Sequence, residues 1–109
     1  MNISIKGTNL ELTAPIKQYV NDKIGGLKKF LDPLEAKVEL ERDRHHHSGR
    51  VFRAEVTMIA GGKILRAEET AEDMYAAIDL VVPKLREQIA KFKDKKQSQS
   101  RRQARVDKI

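Results

Sequence analysis

The sequence predicts an α+β domain of β-α-β-β-β-α order: a four-stranded sheet with two helices on one face. Three observations lead there. Apolar residues recur at helical spacing in two stretches, residues 16–31 and 78–92. In four shorter stretches they alternate with polar residues, as strands do. That alternation leaves one apolar and one polar sheet face, so both helices can cover the apolar side while the other faces water.

The first strand is residues 2–6, with Ile3 and Ile5 on one face. Thr13 can cap a helix whose first turn tolerates Pro15. Ile16, Val20, Ile24, Leu27 and Leu31 then mark a helix over about residues 14–31. Gly25-Gly26 weakens it by up to ~1 kcal/mol per glycine, and Asp32-Pro33 ends it. Strands follow at residues 35–42 (Ala36, Val38, Leu40 inward), 50–59 (Phe52, Ala54, Val56, Met58) and 63–69 (Leu65, Ala67). Gly61-Gly62 is a hairpin turn signal, and residues 42–49 form a longer polar loop. Thr70-x-x-Asp73 resembles a capping box opening the second helix, over residues 70–96. Pro83 within it removes the bond to the Asp79 carbonyl, at ~3 kcal/mol in a regular helix, so a kink is expected at residues 79–83.

A chain of 109 residues supports one domain. It has no cysteine, so thiol and disulfide chemistry are excluded. No apolar run approaches the ~18 residues of a membrane span, and the first residues lack the apolar core of a signal peptide. A soluble, cytoplasmic protein is expected, with residues 1–96 forming the domain and residues 97–109 a basic, disordered tail. The net charge of +6 lies wholly in residues 91–109, which hold eight Lys/Arg and two Asp; the remaining 14 Lys/Arg and 14 Asp/Glu cancel. This asymmetry suits a polyanionic partner; a solubilising tail is the alternative.

The open sheet face sets Lys37, Arg53 and Arg66 against Glu39, Glu41, Glu55 and Glu68, and no aromatic alternates onto it. Cross-strand pairs there can neutralise one another, and a base-stacking platform is missing. The second helix is the better surface. At ~100° per residue, Ile78, Val81, Val82, Leu85, Ile89 and Phe92 form its core stripe. Lys84, Lys91 and Lys95 line one flank, with Gln88 between them, and Arg86 and Lys93 line the other. A solvated helix with lysines near its C-terminus, favoured by the macrodipole, is the plainer account. The first helix adds Lys17, Lys28 and Lys29 beside its stripe. Lys23 falls inside the arc, so its stem is expected to pack while the ammonium reaches water.

The run Asp73-Met74-Tyr75-Ala76-Ala77-Ile78-Asp79, then Lys84-Leu85, Gln88 and Lys91-x-Lys93-Asp94-Lys95, resembles the bacterial ribosome hibernation-promoting factor family, which includes the ribosome-associated inhibitor called protein Y. The resemblance covers roughly residues 1–96; Asn2-Ile3, Glu11-Leu12-Thr13, Lys23 and Leu27 also fit. It implies a double-stranded-RNA-binding-like fold. It implies too a factor without enzymatic activity that sits on the small ribosomal subunit, against 16S rRNA and neighbouring ribosomal proteins, near the decoding centre. There it would block tRNA and mRNA and inhibit translation under stress. A general double-stranded-RNA-binding module is the alternative. By position, Lys23, Lys29, Lys84, Lys91 and Lys95 match basic positions of the family pattern. Lys28, Arg86, Lys93, Lys96, Arg101, Arg102 and Arg105 complete the candidate RNA contacts. Glu87 departs from the pattern, which usually has Arg before the glutamine, and Gly26 stands where lysine is common. Long-form relatives carry a second domain that pairs ribosomes, absent from these 109 residues. A monomer is expected off the ribosome, with no membrane, small-molecule substrate, cofactor or metal.

His45-His46-His47 does not space ligands to converge on one ion; as a solvated loop it would gain charge below pH ~6.5 and add to RNA affinity. Ser48 beside His47 lacks an orienting third group. Tyr75, near a helix start, is expected as a core or boundary aromatic.

Overall fold

The computed structural model describes residues 2–31 and 35–107, with residues 94–107 described as backbone only. Its elements are β1 (Asn2–Thr8), α1 (Ala14–Gly25) followed by a 3-10 turn (Gly26–Lys29), β2 (Glu35–Arg42), β3 (Phe52–Ala60), β4 (Lys63–Ala71) and α2 (Met74–Asp107). The expected element order and fold class hold. The strands lie in the order β1-β2-β3-β4. β1 and β2 are parallel, joined by the α1 crossover, and the other neighbours are antiparallel.

Register follows the alternation. Val38 faces Val56, Leu40 faces Ala54, Val56 faces Ala67 and Met58 faces Leu65, all on the helix side. These residues are buried together with Val20, Ile24 and Leu27 from α1 and its 3-10 turn, and with Ile78, Val81, Leu85 and Ile89 of α2. Each fully buried aliphatic side chain stabilises the fold by about 1.5–3 kcal/mol. Three glycines are set by geometry. Gly61 and Gly62 carry φ of +55° and +76°, as the two-residue β3–β4 turn requires. At Gly7 a Cβ would lie 2.8 Å from the Leu10 carbonyl oxygen and 2.9 Å from the Leu12 side chain.

Several local expectations are corrected. The first helix stops as an α-helix at Gly25 and finishes as a 3-10 turn. The glycine pair offers no side chain to pack and keeps the backbone costly to order, so the tighter turn carries Leu27 into the core. Thr13 caps α1 as expected, its hydroxyl accepting from the Ile16 amide. The second helix, however, is capped by Asp73, whose carboxylate accepts from the Ala76 amide at 2.8 Å. Thr70 belongs to β4, so it cannot serve as the cap. α2 runs through Pro83 as one continuous helix. Pro83 and Asp79 are both exposed, so the carbonyl that loses its amide partner lies on the water side. The α2 backbone is helical as far as Asp107. Lys23 is exposed as a residue, and its ammonium sits 5.5 Å from the Tyr19 ring centre. The Asp32-Pro33 stop lies outside the described residues.

Candidate nucleic-acid interface

The open sheet face neutralises itself. Glu39 and Glu55 are directly opposite in register, as are Glu55 and Glu68. Arg53 sits among them: its guanidinium bonds Glu41 at 2.9 Å and Glu39 at 3.1 Å, and reaches Glu55 and Glu68 at 3.6 Å. The bond to Glu41, with the surrounding carboxylates, raises the Arg53 pKa further above its ordinary value. This face offers a polyanion no net attraction, which leaves the helical layer.

On that layer the two flanks of α2 differ in a way the helical projection could not show. The Lys84–Lys91 flank overhangs the outer edge of β4. Lys84 forms an ion pair with Glu69 and also donates to the Glu68 carbonyl at 3.4 Å. Its hydrogen bond holds the Glu69 carboxyl below the usual glutamate value. Gln88 donates to the Arg66 carbonyl at 2.5 Å and accepts from the Arg66 amide at 3.1 Å. The Gln88 amide thus stands in for a neighbouring strand at the free edge of β4, where unpaired backbone groups would otherwise template association. Lys91 pairs with Glu87 at 3.1 Å across one helical turn, both ends well exposed. Sequence reasoning placed Gln88 between two lysines but missed its backbone role, because only the tertiary fold brings β4 beneath α2.

The other flank faces α1. Tyr19 donates its hydroxyl proton to the Asp79 carboxylate, and its ring meets Tyr75 edge-on at 5.0 Å. Bonding to Asp79 pushes the Tyr19 phenol up to about 12. Tyr75 is a boundary aromatic, 41% exposed. Further along, Arg86 lies 4.8 Å and Lys29 5.2 Å from the centre of the Phe30 ring. Arg86 and Lys93 line a groove of about 460 Å³ floored by Phe30, Ile89 and Ala90. So Lys29, Arg86 and Lys93, drawn from separate elements, gather around one aromatic. Lys28 is exposed beside them in sequence. Lys95, Lys96, Arg101, Arg102 and Arg105 have side chains outside the described residues. Phe30 was not singled out from the sequence; a Lys-Lys-Phe end to the first helix, set beside cations seven apart on the second, was the available signal.

The histidine loop is held from within. Asp43 accepts from the His45 amide at 2.8 Å and bonds His46 Nδ1 at 2.9 Å. The His45 amide leads in keeping the Asp43 carboxyl below its ordinary value. Arg44 donates to the Asn9 side chain at 2.6 Å, tying this loop to the end of β1.

Fold and surface define a small α+β domain whose helical layer, not its sheet, is available to a polyanion. The chain belongs to the Sigma 54 modulation protein / S30EA ribosomal protein family, whose model matches residues 3–97. It is 40% identical over 96 residues to the ribosome hibernation promotion factor of Lactococcus lactis, an alignment covering 85% of this chain and 50% of that protein. The Bacillus subtilis ribosome hibernation promotion factor is 38% identical over 96 residues, covering 87% and 50%. The chain therefore spans about half the length of the curated relatives it matches. The Thermus thermophilus Protein Y N-terminal domain superposes with a TM-score of 0.70 at 36% identity, over 84% of this chain and 99% of that one. A ribosomal subunit interface protein from Coxiella burnetii shares the fold, with a TM-score of 0.71 at 17% identity.

Proposed function

We propose that this domain is a ribosome hibernation factor that binds the small subunit through its helical layer, occupies the decoding region against 16S rRNA, and inhibits translation by blocking tRNA and mRNA. It acts by occupancy, without catalysis, in the cytoplasm. Family membership over residues 3–97 carries this reading. The charge distribution supports it, because the sheet face is self-neutralised around Arg53 while Lys23, Lys28, Lys29, Arg86 and Lys93 crowd the helical side. Lys84 and Lys91 join them by exchanging Glu69 and Glu87 for phosphate oxygens. Lys95, Lys96, Arg101, Arg102 and Arg105 extend the same charge along the chain.

Such contacts release counterions, so affinity falls steeply with salt. The test is co-sedimentation with purified small subunits over a salt series. Replacing Lys84, Lys91 and Lys95 together by glutamine is expected to lower affinity at least tenfold and flatten the salt slope, with an unchanged circular dichroism spectrum. Undiminished binding by the folded triple variant would sink the reading. Equal affinity for a free RNA duplex and for the subunit would instead support a general double-stranded-RNA-binding module.

A further inference from the structure

We infer that the groove between the end of the first helix and α2 is a nucleotide subsite, taking one unstacked RNA base against Phe30 and Arg86 with its phosphate at Lys93 and Lys29. This rests on the RNA-binding reading above and assigns a distinct part of the surface within it.

Three observations converge on the groove. It is concave, at about 460 Å³, with an apolar floor of Phe30, Ile89 and Ala90. Its rim carries two cations and one anion, Arg86, Lys93 and Glu87, and Lys29 adds a third cation beside the Phe30 ring. An apolar peptide would gain nothing from that rim, whereas a nucleotide presents a flat apolar face and an anion together. Finally, the Arg86 guanidinium lies 4.8 Å from the Phe30 ring centre and forms no ion pair among the described residues. An aromatic ring and a guanidinium are the two surfaces on which single-stranded bases stack. Phe30 is half-buried, so its ring is held by the core while one part remains accessible. The Lys84 flank has no such floor; it meets a strand edge already closed by Gln88. The two flanks thus divide the work: phosphate contact alone on one side, base and phosphate on the other.

The chain has no tryptophan, so Phe30→Trp places a single indole inside the groove, one that can be excited selectively over Tyr19 and Tyr75. Titration with a short single-stranded oligoribonucleotide is expected to quench it, and the same oligomer with abasic positions is expected not to. In the unlabelled protein, Phe30→Leu, which keeps the apolar volume, should weaken binding of that oligomer about tenfold, the scale of one base–aromatic stack. Arg86→Gln should act in the same direction. Loss of subunit co-sedimentation in the lysine triple variant alongside unchanged oligomer binding by Phe30→Leu would overturn the subsite and leave the general reading standing. Equal quenching by the abasic oligomer would also overturn it. Stronger quenching by a poly-glutamate peptide than by RNA would assign the groove to an acidic protein segment and overturn it as well.

Discussion

Replacing Arg53 with methionine isolates what holds the open sheet face together. The side chain is 23% exposed and touches four carboxylates. The two pairs at 2.9 and 3.1 Å are hydrogen-bonded and part-buried, each contributing about 1 kcal/mol at this exposure. The two at 3.6 Å add a few tenths each. Without the guanidinium, Glu39, Glu55 and Glu68 stand side by side across three strands, and like charges directly opposite cost roughly another half kcal/mol. The expected loss is about 2–3 kcal/mol at pH 7, or roughly 10–15 °C in Tm for a domain of this size. Methionine keeps most of the apolar stem, so little of the loss comes from packing. Urea denaturation at pH 7, at low salt and in 1 M salt, is the assay. The loss should shrink in 1 M salt, where screening is short-ranged. A loss under about 0.5 kcal/mol, or one equal at both salt concentrations, would refute the electrostatic account. Subunit binding should be unchanged at temperatures where the variant is folded, since Arg53 faces away from both helices.

Three further outcomes are expected. Glu87→Gln frees Lys91 and removes an anion between the two basic flanks; affinity for the small subunit should rise about twofold to threefold at low salt and the gain vanish at high salt, and unchanged affinity in a filter-binding salt series would count against the α2 contact. Tyr19, held neutral up to about 12 by Asp79, has a folded value above its unfolded one, so its stabilising contribution is complete below pH ~10 and is lost as pH rises through the folded value. Phenolate absorbance should show one late-titrating tyrosine that returns to the ordinary range in Asp79→Asn. Gly7→Ala should cost about 1–3 kcal/mol in urea denaturation, because the Leu10 carbonyl that meets the new methyl is backbone and cannot swing aside; a neutral substitution would show that this turn can relax.

Much of the molecule was legible in the chain itself. Alternation in Ala36-Lys37-Val38-Glu39-Leu40 and its counterparts in β3 and β4 marks strands with one wet face, and the stripe from Ile78 to Phe92 marks the helix that covers the other. These are local periodicities, and burial obeys them because a strand or helix presents its side chains at fixed angles. Hairpin glycines were equally visible, since their positive φ is a property of two residues alone. The cap of α2 was placed three residues early because Thr70 and Asp73 are both good caps locally; the extension of β4 to Ala71, a tertiary pairing with Phe52, decided between them.

Sequence alone therefore determined the elements, their order, the apolar faces and the location of excess charge, because each depends on neighbours along the chain. Only the tertiary structure decided which charges are free to act. Lys84 and Arg86 are two residues apart, on opposite flanks of the helical projection, and look equally available there. Folding sets one against Glu69 at the edge of β4 and the other over the Phe30 ring. A charge's availability is fixed by the partners that distant segments bring within a few ångströms, and no periodicity records those.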